Sequence, residues 1–165
     1  MTSFSNNRWA AIFGINPARW KRWCREFLGH DPAAGLQSGK ARKLNLENAF
    51  IVLLGGHLVS GLKFTIPDAK TIIQDILDWL RLRALMPGNE YNNSGGEKPI
   101  EWEIRIERRS NGFAYQMKGV LAVGQQGGAH IANFILDGEK QINELQAITL
   151  HISALLRLFL GRIPG

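Results

Sequence analysis

The sequence predicts a mixed α+β fold, with helices in its first half and a small antiparallel sheet plus a helix in its second half. Three observations support this prediction. Helix start signals precede segments whose apolar residues recur every three or four positions, and a stretch rich in Gly, Asn and Ser follows them. Strict apolar–polar alternation then begins at Ile100. We therefore expect residues 1–85 and 100–165 to form two domains, joined by a linker over residues 86–99.

The first domain is predicted to begin with two short helices separated by a turn. Residues 1–5 are expected to be frayed, a first helix covers residues 6–13, and Gly14 supplies the turn. Asn16 can cap a second helix that runs from Pro17 to about Phe27. Helical spacing puts the apolar side chains of this second helix on its inner face, namely Trp20, Trp23, Cys24 and Phe27.

The outer face of the second helix is predicted to be basic. The side chains that remain there are Arg19, Lys21, Arg22 and Arg25. A helix that is second in a helix-turn-helix and basic on its exposed face can enter the major groove of DNA. A solvated surface helix is the alternative interpretation. The agreement of turn, cap and charge favours the DNA interpretation.

The net charge of the chain is concentrated in its first quarter. Residues 1–43 hold eight Lys and Arg against Glu26 and Asp31, which gives 8 − 2 = +6. The other 122 residues hold twelve basic and twelve acidic residues, which gives zero. A local excess of this kind indicates a polyanionic partner.

A basic hairpin is predicted to follow the second helix. Residues 29–39 read as a loop, and residues 41–44 as a short strand that pairs with residues 35–40. This hairpin would form a wing, with its cations beside a phosphate backbone or in a minor groove; they are Lys40, Arg42 and Lys43. An ordinary solvated loop is the alternative.

Two longer helices are predicted next. Asn45 can cap a helix over residues 46–60, which Gly61 can end with a left-handed residue. Thr65 can cap another helix, from Pro67 to about Leu85.

Residues 9–80 resemble the winged helix-turn-helix DNA-binding domain of the MerR family. The resemblance lies in residues 14–17, 19–23, 42–45, the helix from Leu46, and residues 61–69, in that order and spacing. It implies binding to double-stranded DNA as a dimer, with the helix from Pro17 in the major groove and a wing on the backbone. By motif position, it implies recognition-helix contacts at Asn16, Arg19 and Arg22, and a wing contact at Arg42.

The second domain is predicted to be a three-stranded antiparallel meander with a C-terminal helix. Residues 100–107 and 113–118 alternate in polarity around an Asn-Gly turn signal, and residues 129–136 form a third strand. Residues 141–160 then read as a helix. Its apolar stripe can cover the sheet or meet a second copy of the chain, and the stripe includes Ile148, Ile152, Leu155 and Phe159.

A homodimer is expected, because one recognition helix reads too few base pairs for useful specificity. We predict that Ile148, Ile152, Leu155 and Phe159 provide the dimer surface. The second domain could also bind an effector or a protein partner.

The sequence does not favour an enzyme. The four histidines have no metal-ligand spacing, and the Gly-rich stretches lack the lysine of a phosphate-binding loop. No cofactor or metal is therefore expected. Cys24 is the only cysteine, which favours a cytoplasmic setting, and no apolar run reaches the length of a membrane span.

The leading hypothesis from sequence is a sequence-specific DNA-binding regulator of transcription. The first alternative is an architectural protein of the excisionase kind, which would bend DNA for recombination. The second is a protein-interaction module that uses the winged fold. The charge concentrated in residues 1–43 disfavours the second alternative.

Overall fold

The computed structural model describes residues 2–29, 43–88, 100–121, 131–135, 143 and 146–164. Within these ranges the chain has five helices and two antiparallel sheets, which confirms the predicted α+β class. The predicted hairpin with Lys40 and Arg42, and residues 89–99 of the predicted linker, lie outside the described residues.

The elements follow one another in the order β1, α1, α2, β2, α3, α4, β3, β4, β5, β6, α5. The helices are α1 (Asn6–Phe13), α2 (Pro17–Leu28), α3 (Leu46–Ser60), α4 (Ile66–Leu82) and α5 (Ile152–Arg162). The strands are β1 (Ser3–Ser5), β2 (Lys43–Asn45), β3 (Ile100–Arg109), β4 (Gly112–Leu121), β5 (Ile131–Ile135) and β6 (Ile148–Leu150).

Side-chain caps start the first four helices. A side-chain oxygen accepts a hydrogen bond from a backbone N–H of the first turn in each case, and the capping residues are Ser5, Asn16, Asn45 and Thr65. The last three were predicted from sequence, and the predicted starts of α2 and α3 are confirmed. Each cap provides a partner for an N–H that has none within its own helix.

Helix α3 ends at Ser60, as predicted, but the left-handed conformation predicted for Gly61 is wrong. Gly61 has a φ of −84°, and Lys63 instead adopts the left-handed conformation, with a φ of 64°. The Lys63 ammonium donates to the Ser60 carbonyl at 2.7 Å, so the side chain supports its own turn. Helix α4 ends at Leu82, three residues before the predicted Leu85.

Residues 3–5 form a strand, so the prediction of a frayed start was wrong for these residues. Strand β1 pairs with β2 in antiparallel register, with Phe4 opposite Leu44. The indole N–H of Trp9 donates to the Leu44 carbonyl at 3.1 Å, and the Phe4 ring meets the Trp9 ring edge-on. These contacts order both short strands. The described partner of Lys43 is therefore Ser5, in β1.

The chain divides into two compact units. The first unit contains Met1–Glu90 together with Leu158–Gly165, and the second contains Tyr91–Arg157. The sequence had placed residues 158–165 in the second domain. The reason for the difference is Phe159, whose fully buried side chain packs among the aromatic rings of α1 and α3.

The core of the first unit is an aromatic cluster. Phe159 lies 5.3 Å from Phe13 and from Phe50, and 5.8 Å from Trp9, measured between ring centroids. Phe13 also stacks on Trp20 of α2, at 5.9 Å. Burial of such large rings is a strong stabilising contribution in a small unit. The stack of rings thus runs from Phe159 through Phe13 to Trp20 on α2.

The second unit is built on a four-stranded sheet, in the order β5-β4-β3-β6. All its neighbouring strands are antiparallel, and β3 and β4 form a hairpin closed by Arg109 opposite Gly112. One face carries a buried apolar row, made of Trp102, Ile104, Ile106, Tyr115 and Met117. The predicted alternation along the first two strands is confirmed.

The predicted three-stranded meander and its long helix need correction. Ile148–Leu150 is a strand that pairs with Ile104–Ile106, and the helix begins only at Ile152. The spacing of four between Ile148 and Ile152 mimics a helical stripe. The alternation of Ile148 and Leu150 fits the sheet instead, because both residues stand opposite apolar positions of β3.

The predicted dimer stripe is likewise not a continuous exposed surface. Ile152, Leu155 and Phe159 are buried within the chain, while Ile148 belongs to β6 and is partly exposed. The exposed large apolar side chains of α5 are Leu158 and Leu160. The buried residues already have partners in their own chain, so they cannot also present a surface to a second copy without rearrangement.

Candidate nucleic-acid interface

A tight turn positions the start of α2. Gly14 has a φ of 64°, and the Ile15 N–H donates to the Ala10 carbonyl at 2.9 Å. The side-chain oxygen of Asn16 accepts from the N–H groups of Ala18 and Arg19, at 2.9 and 3.3 Å. Asn16 is exposed, but its oxygen is already used in the cap, so only its amide nitrogen remains to contact a ligand.

The inner face of α2 packs against the backbone of α3. Trp20, Trp23 and Cys24 are buried, and Phe27 is half-buried. A Cβ atom added at Gly55 would lie 2.4 Å from the Phe27 ring, and one added at Gly56 would lie 2.3 Å from the Trp23 ring. Only glycine leaves room for these rings, so the adjacent glycines of α3 determine how closely α2 approaches.

Sequence reasoning missed this role of the two glycines. A signal was present, because two adjacent glycines inside a helix cost about 0.5–1 kcal/mol each relative to alanine. Such a cost in an otherwise strongly apolar helix indicates close packing by another element. The sequence could not, however, identify Trp23 and Phe27 as the partners.

The outer face of α2 carries the predicted cations. Arg19, Lys21, Arg22 and Arg25 are all exposed. Within the described part of the chain, none of the four forms an ion pair with another side chain. The helix thus presents four positive charges that can meet an external anion.

One carboxylate lies at the edge of this basic face. Glu26 Oε2 is 2.7 Å from the ammonium nitrogen of Lys70, on α4. The hydrogen bond from Lys70, and then its charge, lower the pKa of Glu26 below its ordinary value. Burial opposes this shift, and the charges of Arg22 and Arg25 lower the pKa further, each by less than burial raises it. Glu26 is therefore ionised at neutral pH.

Arg81, on α4, gives a contrast with the cations of α2. Its guanidinium donates to Glu47 of α3 at 2.8 and 3.1 Å, and to Asp78 at 3.2 Å. These hydrogen bonds, first of all those to Glu47, raise the pKa of Arg81. Arg81 thus serves to tie α3 to α4, whereas the α2 cations have no such role within the described chain.

The predicted site residues are only partly assembled by the described structure. Five of them lie together at the start or on the outer face of α2: Asn16, Arg19, Lys21, Arg22 and Arg25. Lys43 is exposed at the first position of β2. Lys40 and Arg42 lie outside the described residues.

Metal sites and membrane spans can be assessed in the part of the chain that the structure describes. There, no group of three or more His, Cys, Asp and Glu residues could hold a metal ion. No described helix is both long and apolar enough to cross a membrane.

Comparisons with protein-family models, with curated proteins and with solved structures gave no match.

Proposed function

We propose that this protein binds double-stranded DNA through the outer face of α2 and acts as a sequence-specific regulator of transcription. The observation that carries the proposal is the set of four exposed cations on one helix, none of them paired with another described side chain. The opposite face of the same helix is anchored by Trp20 and Trp23. A rigid helix with a free basic face suits insertion into a major groove.

We expect the cations to make two kinds of contact with DNA, to bases and to phosphates. Arg19 and Arg22 are the proposed base contacts, because a guanidinium can donate two hydrogen bonds to guanine. Lys21 and Arg25 are proposed to meet phosphates, which position the helix without reading sequence. Lys43 would reach the backbone from β2, together with Lys40 and Arg42 in a wing like that of the MerR family.

A homodimer is part of the proposal. Two copies on a pseudo-palindromic site would double the base contacts and raise specificity over competing sites. Because three of the four predicted dimer residues are buried within the chain, a different surface would have to join the copies. Sedimentation of the purified protein at micromolar concentration tests this point, and a monomer that stays monomeric on DNA would contradict it.

Selection of bound fragments from random duplex DNA is the experiment that tests the main proposal. We expect an enriched motif, and an affinity that falls steeply as salt rises, because bound phosphates release counterions. Arg22→Ala should lose about 1–3 kcal/mol of discrimination at one base pair of the motif.

Lys118→Ala is the matched control, because it removes one cation from β4 in the second unit. It should leave both affinity and motif unchanged. An affinity that does not depend on salt, or an equal effect of the two variants, would overturn the proposal. Enrichment without any motif, but with bending of the DNA, would point instead to an architectural role.

A further inference from the structure

The Glu26–Lys70 ion pair lies directly beside the proposed DNA-binding surface. Glu26 follows Arg25 in sequence and stands one helical turn after Arg22, so the three share one side of α2. Lys70 reaches this side from α4, and its ammonium is 2.7 Å from the carboxylate. Neither side chain is buried, since 33% of Glu26 and 43% of Lys70 remain exposed.

Glu26 is the one acidic residue of α2, and two of the neighbouring arginines already act on it electrostatically. A carboxylate in this place repels the phosphates that the arginines attract. It also holds an ammonium group that would otherwise be free to bind a phosphate oxygen. The pair therefore weakens the general attraction of the surface for any polyanion.

We propose that Glu26 limits the affinity of this surface for DNA of any sequence by holding Lys70 away from phosphates. The inference rests on the proposed DNA binding by α2. Base contacts from Arg19 and Arg22 would offset this weakening only on a cognate site.

A double-mutant cycle with Glu26→Gln and Lys70→Gln tests the proposal. Glutamine keeps the size of each side chain, and both positions are exposed, so the fold is expected to persist. Glu26→Ala serves as a second variant, because the effect depends on charge and not on the shape of the side chain. Far-UV circular dichroism checks each variant before its affinity for a random-sequence duplex is measured across a salt series.

Glu26→Gln is expected to bind random-sequence DNA more tightly, because Lys70 can then contact a phosphate. One added phosphate contact steepens the dependence of log affinity on log salt by about 0.9. The gain should therefore shrink about three- to fourfold as salt rises from ~50 to ~200 mM. Affinity for the selected motif should rise by a similar factor, because a phosphate contact carries no sequence information.

In the Lys70→Gln background the same change at Glu26 should no longer steepen the salt dependence. An unchanged salt dependence for Glu26→Gln, or the same steepening without Lys70, would overturn the inference. If Glu26→Gln has no such effect but Arg22→Ala still weakens binding, only the proposed role of Glu26 is wrong, and the proposal that α2 binds DNA is retained. If the unmodified protein binds no DNA, both fall together.

Discussion

The outer face of α2 and the polar face of β3 are both rich in charged side chains, but they differ in whether these side chains form ion pairs. On α2, four cations project without an ion-pair partner among the described residues. On β3, three carboxylates each contact a basic side chain. These contacts join Glu101 to Arg157, Glu103 to His151 at 3.1 Å, and Glu107 to Arg109 at 3.0 Å.

The difference indicates which surface can attract a distant partner. Charges that are paired within the chain cancel one another at a distance, whereas unpaired charges of one sign produce a field in the solvent. The zero net charge of residues 44–165 thus corresponds, along β3, to direct pairing of opposite charges. Four substitutions test how the two units support these surfaces.

The largest effect is expected from Phe159→Ala, which would remove a ring from the core beneath α2. Phe159 contacts Phe13, which in turn stacks on Trp20. Truncation of a buried Phe costs about 3–5 kcal/mol of stability. Chemical denaturation measures this loss, and Leu158→Ala, at an exposed position of the same helix, is the control with little expected effect. Equal losses for the two variants would show that the aromatic cluster does not support the first unit.

The second effect concerns the packing of α2 on α3. In Gly56→Ala the new methyl group would overlap the Trp23 ring, so the ring and α2 must shift. Overpacking of this kind costs about 1–3 kcal/mol. We expect lower stability in denaturation and weaker DNA binding than the stability loss alone explains.

Gly161→Ala is the matched control, because a Cβ atom at this helical position meets no atom within 4 Å. It should be neutral or slightly stabilising, since alanine favours a helix more than glycine does. If Gly56→Ala is equally harmless, close approach does not fix the position of α2.

The third effect belongs to the second unit. The Ser153 hydroxyl accepts a hydrogen bond from the backbone N–H of Trp102 at 2.8 Å, in a buried position. Ser153→Ala removes this buried hydrogen bond and should cost about 1 kcal/mol. Denaturation should show the loss, while DNA affinity under folding conditions stays unchanged. The exposed Ser60→Ala is the control, and a drop in DNA affinity for Ser153→Ala would contradict the assignment of DNA binding to α2 alone.

The smallest expected effect is the contribution of Glu26 to the pH dependence of folding stability. Lys70 lowers the pKa of Glu26 in the folded state, so the ion pair stabilises the protein above the pKa of the unfolded chain. This contribution is lost as pH falls through the lower pKa of the folded state. Glu26→Gln should therefore lose slightly less stability than the unmodified protein as pH falls below about 4.5. Parallel pH profiles in thermal denaturation would show that the ion pair is too weak to matter.

The sequence predicted those parts of the fold that local chemistry determines. Asn16, Asn45 and Thr65 mark helix starts because their side chains satisfy N–H groups of the following residues. The alternation from Trp102 to Ile106 marks a strand because successive side chains point to opposite faces. In each case the cause lies within a few residues of the effect.

Features that depend on distant partners could not be predicted in this way. Strand β1 exists because of β2, and β6 exists because β3 offers an open edge. For Phe159, helical spacing predicts that a face is buried but not which residues cover it. The same holds for the candidate site. The exposed cations of α2 could be predicted from the helical spacing of α2 itself. The contact between Lys70 and Glu26 could not, because Lys70 lies on another helix.

The place of Phe159 in the first unit has a consequence for the order of folding. Trp9 and Phe159 are separated by 159 − 9 = 150 positions in sequence, yet their rings stack at 5.8 Å. A domain made of consecutive residues can fold on the ribosome while later residues are still being added. Here the aromatic cluster stays incomplete until residue 159 has been synthesised, and closing so long a loop is slow. The first unit is thus expected to reach its full stability only after the intervening sheet has been made, and DNA-binding activity should appear late in synthesis.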